Sequence, residues 1–457
     1  MALTAYPTVV FNSSTGSDSA ASGAGPATAI TMKVNGATTN STTVVVDTLS
    51  GDLDTVAQDG SAVLFITGIG FVRVSTTNNG TGTIVMETAL TIGDNVDMAI
   101  GGKRATLDAT ESRRLFAATS SPTASGGSGR WTAEFEDDGS LAITSAVTMS
   151  FTAGTGEFTL KSSSTSTRRT MVQSGNAVFF TANTANRWRL QMLTFSNTHA
   201  TKNYVVTASA SVRVTFGSCI CGNNSGTNCP NGLATRTNQT PTFILHDTSV
   251  LRCGSDGISN SGNNIIYDSE ISRCGSNGLS GTSGYLALVR SIFAYNSAWG
   301  VTAPADTSVA ALIDGCVFDG NTEDGLRITG ANSQSNIRVT NNQFTNNGAS
   351  GSKYGLNFSG TAPHSPIVSN NNFYGNRTAA ANGITLDATN LTADPGYTDR
   401  TNSVRNYAIS SASTSKAAGF PASSATIGAG QSGTTTYVDI GAAQRQESAG
   451  GVFILDD

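Results

Sequence analysis

Four carboxylates crowd into a short stretch of the chain: Asp314, Asp319, Glu323 and Asp324. Glycan hydrolysis requires two carboxyl groups about 5 to 9.5 Å apart across the scissile bond, one acting as acid and the other as base or nucleophile. Asp319, Glu323 and Asp324 are therefore the candidate catalytic residues. They also have a structural reading, because Asp in the steps Asp319-Gly320 and Asp324-Gly325 is turn chemistry. Asp256 shares the repeat position of Asp324 but lies three repeats earlier. At the strand spacing of a sheet that is about 14 Å, too far to cooperate.

The remaining chemistry-bearing residues are sparse. His199, His246 and His364 have no Ser or Cys partner at a recognisable spacing, and read as solvated turn residues rather than a triad. Cys219, Cys221, Cys229, Cys253, Cys274 and Cys316 include no CxxC pair and no adjacent His, so no metal and no cofactor is expected. Reduced thiols serving as small buried hydrophobes fit better. Arg252, Arg273 and Arg290 fall near one repeat column, with Arg290 slightly out of register. Such a stripe suits acidic sugars or a solvated outer face. Aromatic residues off the apolar columns are the better candidates for glycan or subunit contact: Trp299, Tyr295, Tyr267 and Tyr374, with Tyr285 beside them. Trp299 occupies a turn position whose counterparts are Asp256, Asn277 and Asp324.

These residues hang on a repeat. The pattern Thr248-x-Val250-x-x-Cys253 recurs as Ser269-x-Ile271-x-x-Cys274, Ser291-x-Phe293-x-x-Asn296, Cys316-x-Phe318-x-x-Asn321, Asn342-x-Phe344-x-x-Asn347 and Asn371-x-Phe373-x-x-Asn376. Its apolar anchors are 21, 22, 25, 26 and 29 residues apart. Five residues before each anchor stand Leu245, Ile266, Leu288, Ile313, Val339 and Val368. After each comes Gly and an aliphatic residue: Gly257-Ile258, Gly278-Leu279, Gly300-Val301, Gly325-Leu326, Gly355-Leu356 and Gly383-Ile384. Three apolar positions per coil imply three strands per coil. One coil cannot bury a core alone, so coils stack at about 4.8 Å and every column becomes a ladder. Asn296, Asn321, Asn347 and Asn376 are then expected to form an internal amide ladder. The column glycines are expected to supply a φ that a β-carbon opposes.

Composition agrees. Only 12% of the 457 residues are charged, against about 25% in an ordinary soluble domain, and Gly, Ser, Thr and Asn take their place. A net charge of −5 with no basic cluster excludes a phosphate-backbone footprint, so nucleic acid is not an expected partner. No run of about 18 apolar residues exists for membrane insertion. Met1 to Pro7 carries neither a basic n-region nor an apolar h-region, so we expect a protein made in a cytoplasm that leaves, if at all, by another route.

Taken together, the coils resemble the right-handed parallel β-helix repeat proteins of phage and environmental bacteria. Ala393-Asp394-Pro395-Gly396-Tyr397, Asn406-Tyr407-Ala408-Ile409, Ala417-Ala418-Gly419-Phe420-Pro421 and Tyr437-Val438-Asp439-Ile440-Gly441-Ala442 resemble that family's closing segment, with Gly396 inserted before the aromatic. The resemblance covers about residues 130 to 445. It implies an all-β, right-handed, single-stranded parallel β-helix with an N-terminal β-rich domain or cap and a C-terminal capping segment. The expected organisation is an arm over 1–30, a β-rich domain over 31–120, the β-helix over 121–392 and the capping segment over 393–457. Members of the family are structural, adhesive or glycan-degrading. The expected function is a virion structural protein: a homotrimeric tailspike, fibre or capsid-decoration component contacting other virion proteins and cell-surface polysaccharide. A glycan depolymerase, hydrolase or lyase, is the alternative, and a bacterial surface adhesin a third.

Overall fold

A computed structural model describes residues 8–11, 26, 28–58, 62–103, 130–136, 141–143, 147–149, 157–173, 180–182, 187–197, 204–208, 213–222, 231–235, 241–281, 284–304, 310–329, 336–360, 365–400, 406–416, 418–419 and 440–442. His199, Cys229, His364 and most of the segment 417–439 lie outside them. Two compact units divide at Thr242–Phe243.

The second unit is a right-handed parallel β-helix of six coils. Its first sheet stacks Thr242–His246, Asn263–Tyr267, Leu286–Val289, Ala311–Asp314, Ile337–Thr340 and Ile367–Ser369. The second stacks Ser249–Leu251, Glu270–Ser272, Ile292–Ala294, Val317–Asp319, Gln343–Thr345 and Asn372–Tyr374. The third stacks Ile258–Asn260, Leu279–Gly281, Val301–Pro304, Leu326–Thr329, Tyr354–Ser359 and Ala379–Asn382.

The apolar columns pair as their spacing predicts. Val250, Ile271, Phe293, Phe318, Phe344 and Phe373 are successive register partners. All six are buried. Their four phenyl rings stack with centroids 5.4, 4.8 and 4.8 Å apart, close to the strand spacing. The third sheet departs from expectation in its last coil. Ala381, not Ile384, pairs with Leu356, and Gly383-Ile384 falls beyond the strand.

Two turns in each coil run through the left-handed region. Asp247, Asp268, Arg290, Gly315, Asn341 and Asn370 form one such column, and Arg252, Arg273, Tyr295, Gly320, Asn346 and Gly375 the other. Asp, Asn and Gly accept this conformation readily, whereas Arg and Tyr do so at about 1 to 2 kcal/mol each. The two columns correct the basic stripe: Arg252 and Arg273 share one, but Arg290 belongs to the other.

Buried amides tie the coils together along two lines. Asn296, Asn321, Asn347 and Asn376 form the expected ladder. Each amide nitrogen donates to the next Oδ1, at 3.0, 2.9 and 2.9 Å. A second line begins with the hydroxyls of Ser269 and Ser291 and passes to Asn342, Asn371 and Asn390. Of the six column glycines only Gly383 is left-handed, at φ 75°, and the other five have another cause than φ. A Cβ on Gly300 would meet the Gly325 carbonyl at 2.4 Å and the Asn321 amide nitrogen at 2.9 Å. Gly is required there because the next coil approaches so closely.

Just before the closing segment the chain extends the stack, with Leu391 bridging Asn372 in parallel and Asn390 ending the second amide line. It then turns onto the outer face of the second sheet. The hairpin Tyr397–Asp399 and Asn406–Ile409 packs Tyr407 against Ala294 and Val317. Gln343 donates to the Ile440 carbonyl at 2.8 Å, and Asn372 to the Ala393 carbonyl at 2.8 Å and the Ser415 hydroxyl at 2.9 Å.

The first unit holds further parallel coils, whose strands include Arg130–Phe135, Glu157–Ser162, Arg187–Gln191 and Arg213–Gly217. It also holds a closed antiparallel barrel of six strands: Ile30–Val34, Thr38–Asp47, Val63–Ile66, Gly70–Asn78, Thr83–Ile92 and Asp97–Ile100. Met32, Val44, Leu64, Val74, Ile84 and Met98 fill it. The terminal stretch is more than an arm: Thr8–Phe11 pairs in parallel with Thr132 to Phe135, adding a rung to the coil stack. The barrel sequence is therefore inserted between two strands of one sheet.

Candidate functional site

The structure does not bring the three candidate acids to one opening. Asp319 ends a second-sheet strand whose Phe318 points into the core, so its own side chain faces outward. There the closing hairpin covers it completely. Its carboxylate accepts from the Thr345 hydroxyl at 2.7 Å, the Asn346 amide at 3.4 Å and the Tyr407 hydroxyl at 3.1 Å, and Arg400 Nε stands 3.4 Å away. Burial, followed by the charge of Asp319, pushes the neighbouring Tyr397 phenol well above its ordinary range.

Asp324 belongs to a different surface. It is 2% exposed. One oxygen accepts the Tyr354 N–H at 2.7 Å and the other the Asn357 amide at 2.8 Å. Glu323 forms an ion pair with Lys353. Asp314 accepts from the Thr340 hydroxyl at 2.6 Å and the Asn341 amide at 2.8 Å. The acids hold turns and the closing segment in place, and these contacts leave neither Asp319 nor Asp324 open to a substrate.

The aromatic candidates separate as well. Tyr295 donates to the Arg400 carbonyl at 3.2 Å and packs beside Tyr407, so it anchors the closing segment. Tyr267 stacks on His246 at 4.5 Å, on the outer side of the first sheet. Tyr374 is half-buried at the end of a second-sheet strand, and Tyr285 is 39% exposed. Trp299 lies half-buried at the entry to the third sheet, with the Arg327 guanidinium carbon 4.9 Å from its ring centroid. Its turn column is Asp256, Asn277, Trp299, Asp324 and Tyr354. Tyr354 holds this position just before Gly355, although Phe344 and Leu356 are 12 residues apart where earlier coils have 8.

Sequence reasoning missed the lane beside that column. On the third sheet Ser259, Ser280, Thr302, Arg327, Asn357 and Asn382 are successive register partners, one per coil. Their neighbours Ile258, Leu279, Val301, Leu326 and Leu356 are buried, so the alternation of a strand turns this lane outward. Asn382 donates to Asn357 at 2.9 Å, and Asn357 donates to Asp324, which fixes both amides. A periodic alternation of polar residues with the aliphatic column carried this signal in the sequence.

Cys219, Cys221, Cys253, Cys274 and Cys316 are buried free thiols. Burial pushes the Cys316 thiol well above the ordinary thiol range, which keeps it protonated. Among the described residues no three of His, Cys, Asp and Glu converge as a metal site would require.

The profile of the family described as "Right handed beta helix region" matches residues 279–424. The solenoid is of the right-handed β-helix type. A search of curated proteins returns no match. Among solved structures the chain is similar to one titled "Crystal structure of Agl-KA catalytic domain", at 10% identity and a TM-score of 0.29, over 76% of this chain and 78% of that one.

Proposed function

We propose that this chain is a glycan-contacting structural protein of a virion, a tailspike, fibre or capsid-decoration component that binds cell-surface polysaccharide without cleaving it. The observation that carries this reading is the division of labour among its polar residues. The carboxylates that hydrolysis would need are buried or paired. The third sheet meanwhile turns outward a lane of hydroxyls and amides at one residue per coil. A polyhydroxylated polymer lying along the solenoid meets a hydrogen-bonding group at each rung except that of Asn357, whose amide is spent on Asp324 and Asn382, with Trp299 supplying a ring beside the lane.

Assembly as a homotrimer is part of the proposal. The outer side of the first sheet carries Ile244, Ile265, Leu312 and Ile367, the last of them 57% exposed. Apolar residues gathered on an outer face suit a subunit contact. Light scattering on the purified chain tests assembly: a mass near three times 46.7 kDa is expected, and a stable monomer overturns it. Affinity electrophoresis through gels cast with bacterial surface polysaccharides tests binding. At least one polysaccharide should retard the chain, with Trp299→Ala reducing the retardation. A chain that migrates freely through every gel overturns the glycan reading.

A further inference from the structure

The lane contains one charge. Ser259, Ser280, Thr302, Asn357 and Asn382 are neutral, and Arg327 stands among them in register. Its guanidinium lies 4.9 Å over the Trp299 ring, and its Nε donates to the Ser359 hydroxyl at 3.2 Å. The side chain is therefore held from two directions. Among the described residues no carboxylate forms an ion pair with it. The nearest acid in sequence, Asp324, spends both oxygens on Tyr354 and Asn357. Elsewhere on the same solenoid arginines meet acids directly: Arg290 grips Asp268 through two bonds of 2.7 Å, and Arg400 faces Asp319. The indole N–H of Trp299 is buried and has no acceptor among the described residues.

A half-buried guanidinium with no anion is a poor use of a cation for stability alone. Stacking on an indole compensates its lost hydration in part and leaves the two terminal nitrogens with their donors in one plane. That fork matches a carboxylate, which takes two parallel N–H bonds. Thr302, one coil away at about 4.8 Å, supplies a neutral partner for a ring hydroxyl, whereas Asn357 on the other side is spent on Asp324 and Asn382.

We propose that Arg327, held against Trp299, is the subsite that selects a carboxylated sugar, so that the polymer bound along the third sheet is a uronate-containing glycan. This inference rests on the reading of the third sheet as a glycan lane. It adds the charge of the ligand and the residue that reads it.

The test is calorimetric titration of the full chain with a linear oligouronate and with the same oligosaccharide after reduction of its carboxyls to alcohols. The wild type should bind the acidic form at least ten-fold more tightly, and salt should narrow the gap. Arg327→Gln should bring the two affinities within about two-fold of each other, chiefly by weakening binding of the acidic form. Thr302→Glu puts a carboxylate on the adjacent rung. It should also erase the preference, by pairing with Arg327, and serves if the first variant folds poorly. Binding of both oligosaccharides with equal affinity by the wild type overturns the subsite and leaves the glycan lane standing. So does a preference that survives both substitutions. A wild type that binds neither form overturns the lane itself and the subsite with it.

Discussion

Replacing Asp319 by Ala takes away the one acceptor shared by Thr345, Tyr407 and Arg400. The two hydroxyls belong to side chains that are almost wholly buried, at 0% and 4% exposure, so neither can turn to water. A buried donor left without an acceptor costs about 1 to 3 kcal/mol. The Arg400 side chain is 38% exposed and is rehydrated when it loses its partner, so we assign it no more than about 1 kcal/mol. The contributions sum to about 2 to 7 kcal/mol, and we take the middle of that range, about 3 to 5, as the loss. It should fall on the closing hairpin rather than on the coils, because the Phe318 column on the other side of the strand is untouched. Hydrogen exchange resolves the two regions. Amides of Asn406–Ile409 in the variant should exchange at least a hundred-fold faster, while those of Val317–Asp319 and Gln343–Thr345 keep most of their protection. Tyr407→Phe should give a smaller acceleration in the same place, and the double variant should be less than additive. The reasoning is refuted if the hairpin amides exchange at the wild-type rate. It is refuted equally if Asp319→Asn abolishes a glycan cleavage while exchange stays unchanged, since that is the signature of a catalytic acid.

Other perturbations read the remaining parts of the structure. Gly300→Ala drives a methyl group against the Gly325 carbonyl, which belongs to backbone and cannot swing aside, so thermal or denaturant unfolding should register a loss of about 1 to 3 kcal/mol or more. Asn321→Ala removes an amide that accepts from Asn296 and donates to the Phe293 carbonyl and to Asn347; a loss of about 2 to 4 kcal/mol is expected, with Asn321→Asp no rescue because the two donors are gone. Burial raises the Cys316 thiol and the Tyr397 phenol, so the folded chain keeps protons that the unfolded chain releases near pH 8.5 and pH 10. The stability they supply is intact below about pH 8.5 and declines as pH rises, by about 1.4 kcal/mol per unit for the thiol and about twice that once the phenol joins. Cys316→Ala should flatten the first part of that slope in denaturant titrations, and an unchanged slope would contradict it.

The ladders were legible in the sequence because a solenoid repeats its side-chain environment every coil. The Val250-to-Phe373 column, the column before it and the amide ladder each needed only a fixed offset. Offsets failed where the coil length changed locally. Ala381 took the position expected of Ile384. Arg290 looked like a displaced member of a basic stripe because two left-handed columns lie only five residues apart. The partners of the acids were hidden for a different reason. Asp319 is buried by Tyr407, 88 residues away, and Asp324 is fixed by Asn357, 33 residues away. No local pattern reports a partner at that distance, so a carboxylate that clamps a segment reads in sequence like one that does chemistry. The lane of Ser259, Ser280, Thr302, Arg327, Asn357 and Asn382 was hidden because polar residues on an outer strand face usually mean solvent. Only the register showed that they form one continuous line.

The central claim is that this solenoid holds a glycan and leaves it whole. The most direct test incubates the chain with a polysaccharide it retards in affinity electrophoresis, then measures the polymer's molar mass by size-exclusion chromatography with light scattering. An unchanged mass distribution is expected after prolonged incubation with the bound protein. Progressive shortening of the polymer, lost on substitution of an acid in the 319–324 region, would contradict it and make the chain a depolymerase.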